Sequence, residues 1–431
     1  MLSLISILAI VLVQICSSLT LNLNQGPLKI NSLSNNTNDR AYFTSISMGT
    51  PPQQFQVLIS AWSPLIMLPD INSSCSTGQY FNSTGSKTFT SLSQSSSISY
   101  VDGSTSGILS KDTLTLGSTI SISTNHQNFV LASSCDGSHY LEKGVLGLGF
   151  GGGLTSTSLV ATMYLAGQIP LPSFSLYLSE VGLSGEKTPK KSSVLMIGEY
   201  DLSLFAESPK DGFTYHDLIS NGDQWSVTLD EVNFESLTFL QEMSIKLDPG
   251  VEYIYGPNSY IAEIYSYIKL RHLCNLDPKK GGIACYCHET SNFASFYFYI
   301  NGHEYSIPSD HYVERSDGIC YIYIFGINEQ YWILGSMLLR RYYSIWDYEG
   351  KRIGLTRSIN DSSSSDNTSK TWVIILVVVL VVAIVGGSLV VVLVVAIVGG
   401  SILVLFIIYK KKKKYRQSIL IGNETGEDRI N

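Results

Sequence analysis

The sequence predicts an all-β protein followed by one C-terminal transmembrane helix, and three observations lead there. From Ala41 onward, short runs of alternating apolar and polar residues are punctuated by Gly, Pro and Asn, the pattern of half-buried strands joined by turns. One frame occurs twice: a strand-like run that ends on a turn, then a second β-favouring run. It reads MSIKLDPGVEYIYGP from Met243 to Pro257 and FQVLISAWSPLIMLP from Phe55 to Pro69. Near the end, Trp372 to Tyr409 is a continuous apolar run followed by five lysines, Lys410 to Lys414. Composition agrees, with 26 tyrosines and only 15% charged residues, as suits a β-rich extracellular chain. The net charge of −7 understates the acidity of the ectodomain, because those five lysines sit in the tail. No basic face suggests nucleic acid.

Met1 to Ser18 has an apolar core from Leu2 to Ile15 and small residues at Cys16, Ser17 and Ser18. It reads as a cleaved signal peptide that lacks a charged start, and is too short for an anchor. Residues 19–40 form a short, polar, Asn-rich N-terminal segment whose only base before Arg40 is Lys29. The first large unit spans 41–185. Within it, Ile98 to Tyr100 and Gly107 to Leu109 flank Asp102-Gly103, a hairpin signal. Gly147 to Gly152 matches GxGxxG, but a phosphate-binding reading needs a βαβ unit that the surroundings do not suggest.

Gly182 to Ser193 (GLSGEKTPKKSS) is the most loop-like interior segment, and the linker is placed at 186–193. A second unit, 194–357, opens with Val194 to Gly198 and a strand at Trp225 to Leu229. Beyond the leader there are six cysteines: Cys75, Cys135, Cys274, Cys285, Cys287 and Cys320. In an oxidising compartment they read as disulfides, with Cys75–Cys135 inside the first unit because no other cysteine lies there. The rival is a metal site from His272, Cys274, Cys285, Cys287 and His288. Disulfides are favoured, and no metal or cofactor is expected. Glycosylation acceptors occur at Asn35, Asn72, Asn82, Asn360 and Asn367, with Asn423 beyond the membrane.

Residues 358–371 form a Ser/Asn-rich stalk. The apolar run 372–409 is 38 residues long, whereas a span needs about 20. The excess has a visible origin, since VVVLVVAIVGGS from Val377 to Ser388 recurs from Val390 to Ser401. Two spans joined at Gly386-Gly387 would return the lysines to the ectodomain side, against the positive-inside tendency. A lipid-anchor signal would end in its hydrophobic tail. The reading is a single-pass type I protein of the cell surface or an endolysosomal membrane, with 410–431 in the cytosol.

Five motifs in one order carry a family resemblance: Met48 to Gln53 (MGTPPQ), Ile98 to Ser104 (ISYVDGS), Gly144 to Gly149 (GVLGLG), Trp332 to Tyr343 (WILGSMLLRRYY) and Ile353 to Leu355 (IGL). The stretch Ala41 to Ser358 resembles the pepsin-like aspartic peptidases. The resemblance implies two pseudo-symmetric lobes around a cleft that takes a peptide or protein ligand, each lobe contributing one Asp-Thr-Gly or Asp-Ser-Gly loop. It implies that Asp248 is the acid of the second loop and that Ser60 occupies the place of the first. It makes the hairpin a flap whose Tyr100 contacts substrate, and it threads Val145-Leu146-Gly147 and Ile333-Leu334-Gly335 beneath the two loops. It also suggests Cys287–Cys320, which leaves Cys274–Cys285. Active members usually carry a longer, basic prosegment, so 19–40 is either a remnant or has no acid pair to mask.

Several expected residues are replaced together. Ala61 and Pro249 stand where the loops' threonines would hydrogen-bond across, Trp62 replaces the first loop's glycine, and Ser336 replaces a common Asp. Asp248, Gly250, Ser63 and Tyr100 are what is left of the constellation, and Asp102 reads as turn chemistry. Aspartic peptidases activate water between two carboxylates that share one proton, which works because neighbouring like charges cannot both ionise. One carboxylate cannot form that pair, and a serine without an adjacent base is a poor substitute. The expectation is a catalytically impaired, ligand-binding ectodomain at a membrane. The alternative is an active or weakly active acid endopeptidase.

Overall fold

The computed structural model describes residues 18–27, 40–75, 78–100, 103–117, 122–136, 144–179, 191–219, 223–240, 242–277 and 282–359. The leader up to residue 17, most of the 186–193 linker, Asp102, the stalk from residue 360, the apolar run 372–409 and the tail 410–431 lie outside them. Among the described residues no helix is long and apolar enough to cross a membrane.

The chain folds mostly into strands, forming the bilobal pepsin-like architecture. An eight-stranded sheet builds the first lobe and a second eight-stranded sheet the other, while a six-stranded sheet runs between them. The two lobe sheets repeat one pairing scheme. In the first, Gln53–Ser60 runs parallel to Val145–Gly147, which is antiparallel to Ile66–Pro69, which runs parallel to Ile122–Asp136. In the second, Met243–Leu247 runs parallel to Tyr331–Leu334, which is antiparallel to Ile254–Pro257, which runs parallel to Ile324–Ile327. The repeated frame of the sequence thus becomes one loop per lobe, each passing over the other apolar segment of its own lobe. The crossings are tight. A Cβ on Gly147 would meet the Leu65 carbonyl oxygen at 2.1 Å, and one on Gly335 would meet that of Val251 at 1.9 Å. Backbone approach of this kind is what the GxGxxG-like run serves.

The six-stranded sheet takes strands from distant parts of the chain, in the order Leu19–Asn22, Val194–Ile197, Ser173–Tyr177, Tyr342–Asp347, Arg352–Arg357 and Thr214–Asp217. Leu19, Leu21 and Leu23 are buried on one side, so the Asn-rich segment begins as an edge strand of this sheet. Its period-2 leucines are the signal that its polar composition hides. Residues on the two sides of the 186–193 linker pair with each other here, Phe174 opposite Ile197. Behind the sheet Phe174, Trp225, Trp346 and Tyr348 form an aromatic platform with ring centroids 5.0–6.3 Å apart. Trp225 Nε1 and the Tyr348 hydroxyl both donate to the Leu148 carbonyl, at 2.8 and 2.9 Å. The Leu148 N–H in turn donates to the Ser60 carbonyl at 2.8 Å. The platform therefore sets the height of the first-lobe loop.

Three disulfides join Cys75 to Cys135, Cys274 to Cys285 and Cys287 to Cys320. The last two staple the small four-stranded sheet of the second lobe, where Cys285 lies opposite both Cys274 and Cys320. With these thiols oxidised, the set His272, Cys274, Cys285, Cys287 and His288 has no thiolate to offer a metal. The hairpin Thr90–Ser99/Ser104–Leu116 forms the flap, Ser99 opposite Ser104, with Tyr100 N–H donating to the Gly103 carbonyl at 2.7 Å.

A buried ion pair lies inside the second lobe. Arg340 Nη1 donates to Glu252 Oε1 at 2.8 Å, the two side chains being 3% and 5% exposed. The Ser336 hydroxyl donates to the other Glu252 oxygen at 2.7 Å. Burial alone would lower the Arg340 pKa, but Glu252, and then Tyr42 from the first-lobe sheet, hold it above its ordinary value. Removing one partner of such a pair strands a buried charge, whereas replacing the group with apolar residues is far milder. Glu252→Ala is expected to cost about 3–5 kcal/mol in unfolding experiments, and Glu252→Leu with Arg340→Met much less. Equal losses in the two variants would show that the pair's burial is not what matters.

Candidate active-site cleft

Asp248 follows a strand whose Met243, Ile245 and Leu247 point into the core while Ser244 and Lys246 are half-buried on the opposite face. Pro249 lacks an N–H and ends the ladder directly after the acid. The carboxylate is 1% exposed. Its Oδ1 accepts the N–H of Ala61 at 2.8 Å and of Gly250 at 2.9 Å, and its Oδ2 accepts the Ser60 hydroxyl at 3.2 Å. Ser60 Oγ itself accepts the Trp62 N–H at 3.1 Å. A Cβ on Gly250 would come within 3.0 Å of Ser60 Cβ, so the two loops meet in contact. One carboxylate is thus bonded to the backbone of both loops and to the Ser60 hydroxyl. Burial pushes Asp248 up to about 6, against the lowering effect of the bonds from Gly250, Ala61 and Ser60.

Trp62 is half-buried at the cleft side of the first loop. Its indole N–H donates to the Ser99 carbonyl at the end of the flap strand, at 2.7 Å. Lys246 Nζ lies 4.9 Å from the Trp62 ring centroid and 3.6 Å from that of Tyr331. The first-lobe loop, the flap and the second-lobe strand are therefore joined through one indole.

Of the residues named from the sequence, the fold brings Ser60, Trp62, Asp248 and Gly250 together. Ser63 lies in the same loop but accepts the Leu65 N–H at 3.2 Å, closing its own turn. Tyr100 is 8% exposed, packs in an apolar cluster with Met67, Val145 and Ile333, and donates its hydroxyl to Met67 Sδ at 3.5 Å. Sequence reasoning passed over Lys246, Tyr331, Glu252 and Ser99. Lys246 and Glu252 had a signal, since each is a charge inside an otherwise apolar frame flanking Asp248. Ser99 contributes only its backbone, which no residue pattern marks.

The chain matches the family model Eukaryotic aspartyl protease over residues 41–358. It is similar to Pepsin-3 of Oryctolagus cuniculus, 31% identical over 332 residues that cover 74% of this chain and 81% of that protein. It is similar to Pepsin A of Bos taurus, 30% identical over 332 residues covering 74% and 84%. It also resembles Pregnancy-associated glycoprotein 1 of Sus scrofa, 31% identical over 339 residues covering 74% and 82%.

The buried carboxyl makes a pH prediction. With Asp248 near 6 in the fold and at the ordinary 3.8 when unfolded, the folded state holds a proton in that interval that the unfolded state has released. Its contribution to stability is fully present below the unfolded value and is lost as pH rises through the folded one. Asp248→Asn keeps an acceptor for the two N–H groups and removes the titration. Relative to wild type, the variant should gain on the order of 3 kcal/mol between pH 4 and pH 7, read from unfolding at both pH values. A constant difference would rule out burial as the controlling force.

Proposed function

Given that this chain belongs to the eukaryotic aspartyl protease family, with the pepsin-like bilobal fold, we propose that it is a catalytically impaired, membrane-held member that binds peptide or protein ligands in its cleft. The observation that carries the reading is the set of partners around Asp248. Water activation by this family's chemistry needs a second carboxylate to share the proton. Around Asp248 stand two backbone N–H groups and a serine hydroxyl, and Glu252, the acid four residues on, is held by Arg340 and Ser336. Among the described residues the Ser60 hydroxyl donates to no side chain but that of Asp248, and the Trp62 indole extends from the loop to the flap. A retained cleft and flap with this altered centre supports binding more than hydrolysis. The lobes are assigned to 41–185 and 194–357.

The alternative, an acid endopeptidase of low activity, draws on Asp248, whose proton sits near 6 and within reach of Ser60. An acid cleavage assay of the purified protein against a mixed peptide library separates the two. No pepstatin-sensitive cleavage is expected between about pH 3 and 6, because a single acid lacks its proton-sharing partner. Ser60→Asp alone should stay inactive, since the new acid would lie beside Trp62 with no loop hydroxyls to align it, and such sites tolerate little misplacement. Ser60→Asp with Ala61→Thr, Trp62→Gly and Pro249→Thr is the smallest set with a chance of activity. Wild-type cleavage that pepstatin blocks and Asp248→Asn abolishes would overturn the reading.

The membrane attachment rests on the run 372–409 and the lysines behind it. We assign a leader at 1–18, a stalk at 358–371, one span, and a cytosolic tail at 410–431, at the cell surface or an endolysosomal membrane. A C-terminal tag should survive protease added outside intact cells. Digestion of the tag would reject the single span.

A further inference from the structure

We propose that Lys246 makes the cleft selective for ligands that present a carboxylate side chain beside the Asp248 loop. The inference rests on the ligand-binding reading above and specifies the chemistry of the ligand.

Lys246 lies two residues before Asp248, on the strand face turned away from the core. Its ammonium is set between two ring faces contributed by different lobes, Trp62 at 4.9 Å and Tyr331 at 3.6 Å. Aromatic faces attract a cation and hold it in place, yet they take up little of its capacity to donate three hydrogen bonds. Among the described residues no carboxylate comes within ion-pair distance of Nζ. Burial lowers its pKa, and the field of Glu329, just before Tyr331, acts in the opposite direction. The ammonium has therefore lost hydration without gaining a close counter-ion. A ligand carboxylate would replace that hydration with a charge-assisted hydrogen bond, the stronger kind. An uncharged amide of the same shape would not. The placement is notable in a chain of net charge −7, where scattered surface acids would otherwise disfavour acidic ligands.

The position also explains how the preference would be set within the cleft. Trp62 is fixed by its bond to Ser99, and Tyr331 is fixed by parallel pairing with Ser244. Two anchored rings restrict a side chain that would otherwise sample many rotamers, so less entropy is lost when it binds.

The test uses purified full-length protein and fluorescent eight-residue peptides in which each position is in turn Glu, Gln or Leu. Affinity is read by anisotropy near neutral pH and at two salt concentrations. At one position Glu should bind about tenfold better than Gln, as for a hydrogen bond to a charged group, and the gap should narrow at high salt. Lys246→Met should bring the Glu and Gln peptides to equal affinity, and Lys246→Arg should keep a preference for Glu. Unfolding temperatures of both variants confirm that each is folded. Equal affinity for Glu and Gln at every position in wild type, or a Glu preference that survives in Lys246→Met, would overturn the inference while leaving ligand binding intact. Failure of every peptide to bind would overturn the ligand-binding reading and this inference with it.

Discussion

Everything at the centre of this molecule depends on one buried carboxylate. Asp248 accepts hydrogen bonds from Ala61 and Ser60 of the first lobe and from Gly250 of its own loop. A carboxylate that is 1% exposed would be costly without such partners. Burial still wins, and it moves the proton equilibrium up to about 6. At acid pH the group is therefore neutral and the loops are joined by an uncharged hydrogen-bonded unit. Near neutral pH the same contacts must hold a negative charge in a dry place. Burial thus favours the protonated centre, and acid pH is where it is least strained.

The residues around it make physical sense as a set. With Ser at 60, the hydroxyl is short enough to donate to Asp248 and still accept the Trp62 N–H. An indole at 62 then reaches out to the flap and to Lys246, filling space that a glycine would leave open. A second buried acid, Glu252, lies four residues beyond Asp248. Ser336 stands where the family commonly has Asp, and the carboxylate facing Arg340 comes from Glu252 in the neighbouring loop. The acid of this buried pair comes from the loop that follows Asp248, and its partner from the segment after Ser336. Such coordination follows from dense packing and from the high cost of a buried charge without a partner.

The lobes are aligned by longer-range means. The aromatic platform of Phe174, Trp225, Trp346 and Tyr348 lies under the six-stranded sheet and bonds to the Leu148 carbonyl, whose own N–H holds Ser60. Position is thus passed from the interlobe sheet to the loop through three hydrogen bonds and one tight backbone crossing at Gly147. Ser63 and Tyr100 serve the same end, one by closing the first loop and the other by filling the cluster beneath the flap.

Strand periodicity, the doubled frame at 55–69 and 243–257, the flap hairpin and the glycines beneath each loop were all legible in the sequence, because each is a local consequence of residue type. So was the pairing of residue types, a serine in the first frame at Ser60 and an acid in the second at Asp248. The role of Leu19 to Leu23 in the interlobe sheet was harder to see, since three leucines in a polar segment gain meaning only from the strand they pair with, 172 residues away in sequence at its closest register of Asn22 to Val194. What only the tertiary structure decided is how the altered residues meet. Ser60 and Asp248 are 188 residues apart, Glu252 and Arg340 are 88, and Trp62 reaches a backbone carbonyl in the flap. Those contacts depend on two lobes packing at one height, and no spacing along the chain encodes a distance between lobes.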